Sequence, residues 1–489
     1  MNKLPRYNKI TYLIIAILCL LFLLLGYGAI EWGIDWFAFV PIIVLVLMLM
    51  VLHFDYTMFA VALLTPFSIF TKYELFSVAI PTEPILILTT IIFLFELSMK
   101  QKLPTIFYKH SISKWIILSL LWIAISMLFS TDFVVSLKHL IARLWFIIPC
   151  YFMMLLLFKD SKKILGFVAC YGLALSIIIV ISTVKYALKG FDHAYANYIM
   201  TPFYNDHTAY GAAIGMFFPI SFYFLFAKKT LYDNVWLRVL FGFVCACLLT
   251  GFILCYARAT WLSLFVAFGV LALVKLKVSK KFIVTASIVG VILFALTWSV
   301  IKDRMSQNSQ DSSGNIVEHI QSISNISTDA SNTERINRWA CALSMAKERP
   351  IFGFGFGTYQ FEYGKFQKSK DLTIISTNEG TVGSVHSEYL GPLCETGIFG
   401  LITILMIFGY TIYTGIRAYY KIKDKNKANL ILFLTISLIT YYIHGIMNNF
   451  LETDKLAIPF WAMTAMIVAL DTYSEKENIT TNNIKHIKK

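Results

Sequence analysis

Charged side chains are scarce in this chain of 489 residues: Asp, Glu, Lys and Arg make up 14% of it, whereas hydrophobic residues make up 58%. A soluble globular chain carries about 25% charged residues, so this chain cannot cover its surface with polar groups. Apolar runs close to the ~20 residues that cross a bilayer recur along it. The composition therefore excludes a soluble globular protein and predicts an all-α polytopic membrane protein.

Three further features are absent from the sequence. No Cys/His spacing resembles a zinc site, so we expect no metal and no other cofactor. The two halves of the chain lack the self-similarity on which many transporters are built. The apolar runs are nearly free of ionisable residues, which a transport path would need in several spans. These absences disfavour a transporter but leave it open as an alternative.

Fourteen apolar runs predict membrane spans, and because two of them are short and closely joined, we expect about 12–14 transmembrane helices. The runs lie near residues 10–30, 36–53, 57–71, 84–99, 115–130, 139–158, 163–186, 208–227, 236–256, 260–275, 282–301, 397–418, 428–448 and 455–471. We therefore predict an N-terminal transmembrane bundle (1–301), a large loop domain (302–396), C-terminal transmembrane helices (397–471) and a basic tail (472–489).

Lysine and arginine gather in alternate loops, and basic residues resist translocation across the membrane. Every strongly basic loop falls on one side under this span assignment. Both termini are therefore predicted to be cytoplasmic, and the large loop is predicted to lie on the outer face. The same asymmetry accounts for the formal net charge of +14. Because the lysines are spread over short loops rather than gathered in one patch, nucleic-acid binding is not expected.

The large loop contains one predicted amphipathic helix, followed by a glycine-rich turn. Ser331 and Glu334 have the spacing of a capping box, and apolar residues recur at helical spacing up to Pro350. Glycine and phenylalanine then alternate over residues 352–357. No strand precedes this run, so we interpret it as a tight, aromatic-lined turn rather than a nucleotide-binding loop.

Three arginines in or beside this loop are candidates for binding an anion. Arg258 stands between two apolar runs with almost no loop, and a guanidinium at the membrane boundary is costly unless it meets an anion. Its planar fork of donors matches phosphate oxygens. Arg335 and Arg338 lie on the predicted loop helix and could descend to the same boundary. The alternatives are an interfacial anchor for Arg258 and a solvated charged face for the other two.

Four further polar residues mark the outer entrances of other spans. Lys138 and Arg143 could add positive potential for an anionic substrate, although both could instead snorkel to lipid headgroups. Asn205 and His207 precede another predicted span and are further candidates for substrate binding.

His386 lies where the large loop returns to the membrane. Its unperturbed pKa near 6.5 suits a proton acceptor, although the residue could instead cap the following helix. Glu388 and Glu395 could orient it or serve in its place. An anion clamp beside a base would fit a lipid diphosphate donor and a hydroxyl acceptor, because the arginines would stabilise charge that develops on the leaving diphosphate.

These residues resemble the motifs of the O-antigen ligase superfamily of bacterial envelope glycosyltransferases. The family signature is His, then Asn, Ser or Gln, nine residues, Gly, two residues, and Gly, Thr or Tyr, and His386-Ser387, Gly397 and Gly400 match it. The segment around Arg258 is similar to a Ser-Arg-Gly/Ala element of the family, with Ala257 in place of the usual Ser.

A third motif of the family is an Arg-x-x-x-Trp helix followed by Pro and a Gly-x-Gly turn. Arg335 to Trp339, Pro350 and Gly353-Phe354-Gly355 resemble it in the same order. The resemblance in motifs covers roughly residues 200–400, and the predicted span count exceeds the twelve typical of the family.

The resemblance implies a GT-C-like fold and a metal-independent, inverting transfer at the periplasmic face of the bacterial inner membrane. A glycan would move from undecaprenyl diphosphate to a hydroxyl of lipid A–core. Arg258 and Arg335 would hold the diphosphate, and His386 would activate the acceptor. The partners would be the undecaprenyl-diphosphate-linked glycan, lipid A–core or another glycan or protein acceptor, and membrane lipids.

The motifs leave the acceptor open. O-antigen or exopolysaccharide polymerases and protein O-oligosaccharyltransferases share them and remain alternatives within the superfamily. A lipid-linked sugar flippase or other transporter is the alternative from another class.

Overall fold

The computed structural model describes residues 53–72, 77–100, 102–227, 234–279, 330–367 and 383–487. The predicted spans 10–30, 36–53 and 282–301 lie outside, or almost wholly outside, these residues. The chain divides into two compact units, residues 1–61 and 62–489. Every helix from Thr82 onward belongs to the second unit.

Helices account for most of the described chain. The longer ones are α1 (Phe54–Leu64), α2 (Thr82–Ser98), α3 (Ser111–Met127), α4 (Phe133–Ile147), α5 (Ser161–Leu188), α6 (His207–Phe226), α7 (Val235–Leu254), α8 (Arg258–Lys275), α9 (Ala330–Glu348), α10 (Leu390–Lys421), α11 (Lys425–His444) and α12 (Asp454–Ile487). A π-helical segment, Ile148–Met153, continues α4 into the short helix Met154–Leu157. Single turns of helix occur at Thr65–Phe67, Ile106–Lys109, His193–Tyr195, Tyr359–Glu362 and Tyr363–Phe366.

Eight helical segments of the described chain are long and apolar enough to cross a membrane. They are Phe133–Leu157, Ser161–Leu188, His207–Phe226, Val235–Leu254, Arg258–Lys275, Leu390–Lys421, Lys425–His444 and Asp454–Ser474. The predicted all-α polytopic membrane protein is therefore confirmed, while the total of 12–14 spans and the GT-C-like arrangement stay predictions.

The predicted span 57–71 is wrong at its end. The helix α1 has 11 residues, which rise only about 16 Å against the ~30 Å of a hydrocarbon core. Pro66 lies in the single turn that follows. The chain then forms an antiparallel hairpin, in which β1 (Ile69–Lys72) pairs with β2 (Ser77–Ile80). Because both the helix and the start of the strand are apolar, the hydropathy of this segment does not show the change from one to the other.

Side-chain caps set where several spans begin. The first helical turn leaves backbone N–H groups without intrahelical acceptors, and Asp or Asn before the helix can accept from them. This bond occurs at the N-caps of α4, α5, α6, α7 and α11, which are Asp132, Asp160, Asp206, Asn234 and Asp424.

Hydrogen bonds of Lys455 and Asp454 connect the segment before the hairpin to the start of α12. The Lys455 ammonium is 8% exposed and donates to the Thr65 carbonyl at 2.7 Å and to the Ser68 carbonyl at 2.6 Å. The Asp454 carboxylate accepts from Thr82 Oγ1 at 2.6 Å and from Ser68 Oγ. Buried charges are tolerated only with such partners. We therefore assign this network a structural role.

The two ends of the bundle carry different groups. The end at which α9 and residues 350–389 lie is called the loop end below. At the opposite end, Arg417 and Asp471 form an ion pair with a 2.5 Å contact, and His110 Nε2 lies 3.4 Å from the same carboxylate oxygen. Arg238 donates to the Ala227 carbonyl at 3.1 Å, at the end of α6 that lies away from Asp206. Residues at that end serve as controls for the site described next.

Candidate functional site at the loop end

The loop helix α9 packs onto the first turns of α10. Cys341, Ala342 and Met345 of α9 are buried in one apolar cluster with Phe354, Tyr359, Tyr363, Val385 and Cys394, and Trp339 packs against it. The Tyr359 hydroxyl donates to the carbonyl of Arg338 at 2.9 Å. The predicted amphipathic helix is therefore present. It begins at Ala330, so Ser331, which was predicted as its cap, is the second residue of the helix.

The glycine-rich turn packs between α10 and the N-terminal part of α4. Gly353, Gly355 and Gly357 all have positive φ angles (68°, 117° and 81°). A Cβ at these positions would overlap the backbone of Glu395, the side chain of Ser130 and the ring of His139, respectively. The close approach allows Gly355 N to donate to the Glu395 carbonyl at 2.8 Å. Glycine is required here by conformation and by space.

Arg335 lies at the centre of a group of charged residues, the arginine cluster, which comprises Asp206, Arg258, Arg335 and His386. Its charge interacts with that of Arg258 at the first residue of α8, with Asp206 and with His386. Burial lowers the pKa of the Arg335 guanidinium, and the carboxylate of Asp206 opposes this effect. The structure thus brings three predicted residues together from α8, α9 and the segment before α10.

The loop between α9 and α10 holds His386 in a strained backbone conformation. Its φ angle is +54°, a region that non-glycine residues adopt uncommonly. The carbonyl of His386 accepts from Trp339 Nε1 at 3.2 Å, and the Ser384 carbonyl accepts from Arg338 at 3.2 Å. Burial and the positive charges of Arg335 and Arg338 lower the pKa of His386 to about 4. The ring is therefore neutral at pH 7 and able to accept a proton.

Asp206 and His207 form the entrance of α6 to this cluster. Asp206 accepts from Thr208 N at 2.8 Å and from Thr208 Oγ1 at 2.5 Å, and it lies 3.2 Å from His207 Nδ1. Burial alone would raise the pKa of Asp206, but these hydrogen bonds and the charge of His207 hold it below its usual value. Asn205, which was predicted with His207, is exposed.

Arg338 has partners within the protein. Its Nε donates to Glu334 Oε1 at 2.8 Å, and both residues are about 5% exposed. The guanidinium also lies 5.1 Å from the centre of the Tyr363 ring. These contacts indicate a role in joining α9 to residues 383–386. Substrate binding by Arg338 stays a prediction.

A second polar group involves residues of α4. Arg143 NH2 and His139 Nδ1 lie 3.8 Å and 3.1 Å from the carboxylate of Glu452. Arg143 also lies over the ring of Phe356 and lines a small cavity whose remaining walls, from α3, α4, α10 and α12, are mostly apolar. Lys138, which was predicted with Arg143, is exposed on α4.

The two predicted carboxylates accept backbone hydrogen bonds. Glu388 Oε1 accepts from Phe450 N and Leu451 N at 2.7 and 2.9 Å, and also from the Tyr441 hydroxyl. Burial raises the pKa of Glu388 despite these donors. Glu395 Oε1 accepts from Tyr359 N at 3.1 Å. Glu388 therefore stabilises the segment that follows His386, and Glu395 stabilises the segment that follows the glycine-rich turn. A direct part of either residue in chemistry stays a prediction.

Sequence reasoning missed His444, Asn448, His139 and Glu452. His444 is buried at the end of α11, and its ring interacts with the charges of Arg335, Asp206 and His207. His444 and Asn448 follow an apolar run with no motif to mark them, and His139 lies within a predicted span. Among the residues that the structure describes, no three His, Cys, Asp or Glu side chains come together as a metal site.

Part of this chain is similar to a known protein family. Residues 241–405 match the model of a family described as O-antigen ligase. This segment contains Arg258, Arg335 and His386, and the predicted resemblance to the O-antigen ligase and polymerase superfamily is confirmed over it. The match covers about a third of the chain, and over that part the chain is similar to a family of membrane ligases.

One curated relative is an uncharacterized protein from Haemophilus influenzae. It is 30% identical over 195 residues, which are 39% of this chain and 45% of the relative. The chain thus matches less than half the length of this relative.

Proposed function

We propose that the protein is an O-antigen ligase, which transfers a glycan from undecaprenyl diphosphate to a hydroxyl of lipid A–core. The match to the family supports the class of enzyme, and the strongly basic short loops predicted on the opposite side favour a periplasmic site in the bacterial inner membrane. We propose the identity of the donor, the identity of the acceptor and the location of the site on the periplasmic face together.

The observation that carries the proposal is the position of Arg335, close enough to interact with the charges of both Arg258 and His386. Two guanidinium groups brought together repel each other, and Asp206 supplies one negative charge nearby. A bound diphosphate would relieve this repulsion, and guanidinium groups bind phosphate oxygens through paired hydrogen bonds. Arg258 and Arg335 are therefore the proposed diphosphate ligands.

The reaction proposed for this site is a single displacement. The acceptor oxygen bonds to the anomeric carbon while the bond from that carbon to the diphosphate oxygen breaks, and the electron pair of the broken bond stays on the diphosphate. Arg258 and Arg335 stabilise the charge that develops there. The acceptor proton passes to the neutral ring of His386.

The low pKa of His386 makes it a weak base before the donor binds. An anionic diphosphate beside Arg335 would offset the positive charge that lowers this pKa, so donor binding would raise the basicity of the ring. Proton transfer must still accompany departure of the diphosphate, because a neutral imidazole cannot fully deprotonate a sugar hydroxyl.

Purified protein in detergent, supplied with undecaprenyl-diphosphate-linked glycan and lipid A–core, tests the proposal. We expect glycosylated lipid A–core to form. Lengthened glycan or glycosylated protein without that product would assign a polymerase or a protein O-oligosaccharyltransferase instead. Movement of the donor across vesicle membranes without transfer would assign a flippase.

A further inference from the structure

The proposed reaction assigns no role to His444, whose ring is buried. It is the last residue of α11 and only 1% exposed. Phe450 covers one side, with the two ring centres 6.0 Å apart. Because the ring is buried, each of its nitrogen atoms needs a hydrogen-bond partner.

One ring nitrogen has a partner that determines where the proton lies. Asn448 Nδ2 is 3.1 Å from His444 Nε2, and Asn448 Oδ1 lies 3.5 Å from the hydroxyl of Thr208. An amide nitrogen can only donate, so Nε2 of His444 accepts. The neutral ring then carries its proton on Nδ1.

That Nδ1–H group is buried and has no hydrogen-bond acceptor within the part of the chain that the structure describes. A buried donor without an acceptor costs about 1–3 kcal/mol, and such an exception calls for an explanation. The charged groups that face the ring are Arg335 on α9, and His207 with its neighbour Asp206 at the start of α6. The unsatisfied donor therefore belongs to the surroundings of the arginine cluster.

We propose that His444 is an additional ligand of the donor diphosphate, whose oxygen accepts a hydrogen bond from Nδ1–H. This inference rests on the proposed function, because it takes a polyprenyl diphosphate as the anion. The ring keeps its proton throughout, and its role differs from that of His386, which gains one. The contact of Asn448 with Nε2 holds the ring in this orientation.

Two substitutions separate the Nδ1–H donor from the bond to Asn448. The amide nitrogen of Asn occupies nearly the position of Nδ1 in histidine, so His444→Asn keeps the donor and loses the contact with Asn448. His444→Gln places its amide near Nε2, so it can accept from Asn448 and loses the donor. The two variants therefore have opposite expected results for a ligand role and for a structural role.

The experiment measures the affinity of the purified full-length protein for undecaprenyl diphosphate in detergent. We expect His444→Gln to weaken binding by roughly tenfold to a hundredfold, the effect of one hydrogen bond to a charged group. We expect His444→Asn to stay within about threefold of wild type on the same scale. His110→Gln, at the opposite end of the bundle, is the matched control and should leave the affinity unchanged.

Unchanged affinity in His444→Gln would overturn the inference. So would equal losses in both variants, or a loss confined to His444→Asn, since each indicates a structural role for the ring. If His444→Gln does not fold, His444→Leu replaces it because it also lacks the Nδ1–H donor, and unchanged donor affinity in that variant would equally overturn the inference. Absence of binding by the wild type would instead contradict the proposed function itself.

Discussion

Replacing Arg338 by Gln removes one charge from a buried ion pair and leaves Glu334 without its partner. The two residues are about 5% exposed, and Arg338 Nε lies 2.8 Å from Glu334 Oε1. Breaking a buried pair by removing one partner costs about 3–5 kcal/mol, because the remaining charge stays desolvated. We expect Arg338→Gln and Glu334→Gln each to lower the free energy of unfolding by about this amount.

The double variant distinguishes the ion pair from two independent effects. With both charges removed, the desolvation cost disappears along with the attraction, so the loss should be smaller than the sum of the single losses. We expect a coupling energy of about 2–3 kcal/mol, within the range for residues in direct contact. The single variant Arg238→Gln, at the opposite end of the bundle, is the control. It shows how much stability is lost when an arginine that is not in this ion pair is replaced.

Thermal unfolding of the purified variants in detergent measures these losses, and donor affinity is measured on the same samples. We expect a marked fall in the unfolding temperature for each single variant, partial recovery in the double variant, and little change in donor affinity for molecules that remain folded. Wild-type stability combined with a large loss of donor affinity would refute the structural role and make Arg338 a substrate ligand.

Three further results are expected. Arg258→Lys keeps the charge but loses the paired donors, so kcat/KM for transfer should fall about tenfold or more, while Arg238→Lys should leave it unchanged; normal transfer by Arg258→Lys would reduce this residue to a membrane anchor. The pH profile of kcat/KM should be flat from about pH 8 to pH 5 and fall near pH 4, because His386 accepts protons only above its lowered pKa; a fall centred near pH 6.5 would contradict this. Gly357→Ala should lower the unfolding temperature, because the added Cβ overlaps the ring of His139 and φ is +81°; an unchanged unfolding temperature would show that the turn can relax.

Hydropathy predicted the spans well where helices are long and continuous. The run 163–186 corresponds to α5, Ser161–Leu188, and 397–418 falls within α10, Leu390–Lys421. The prediction was wrong for residues 69–71, because apolar character does not distinguish a short helix followed by a strand from a single span. The predicted start at residue 397 coincides with Gly397, whose non-helical conformation separates the first turns of α10 from the rest of the helix.

Sequence motifs identified Arg258, Arg335 and His386 as candidates because unusual residue types recur there at family spacings. The same reasoning could not assign partners. Glu334 and Arg338 are four residues apart on one helix, a spacing that predicts contact, yet burial of the pair depends on how α9 packs on α10. His444 and Glu452 join their sites only through long-range packing, and no local pattern in an isolated sequence indicates such contacts.

The most direct test is transfer of glycan from undecaprenyl diphosphate to lipid A–core by purified protein in EDTA, comparing wild type, His386→Ala and His110→Gln. We expect product from the wild type and from His110→Gln, and no product from His386→Ala although it binds the donor. Full transfer by His386→Ala would contradict the proposed role of His386 as the proton acceptor, and absence of product from the wild type would contradict the proposed ligase.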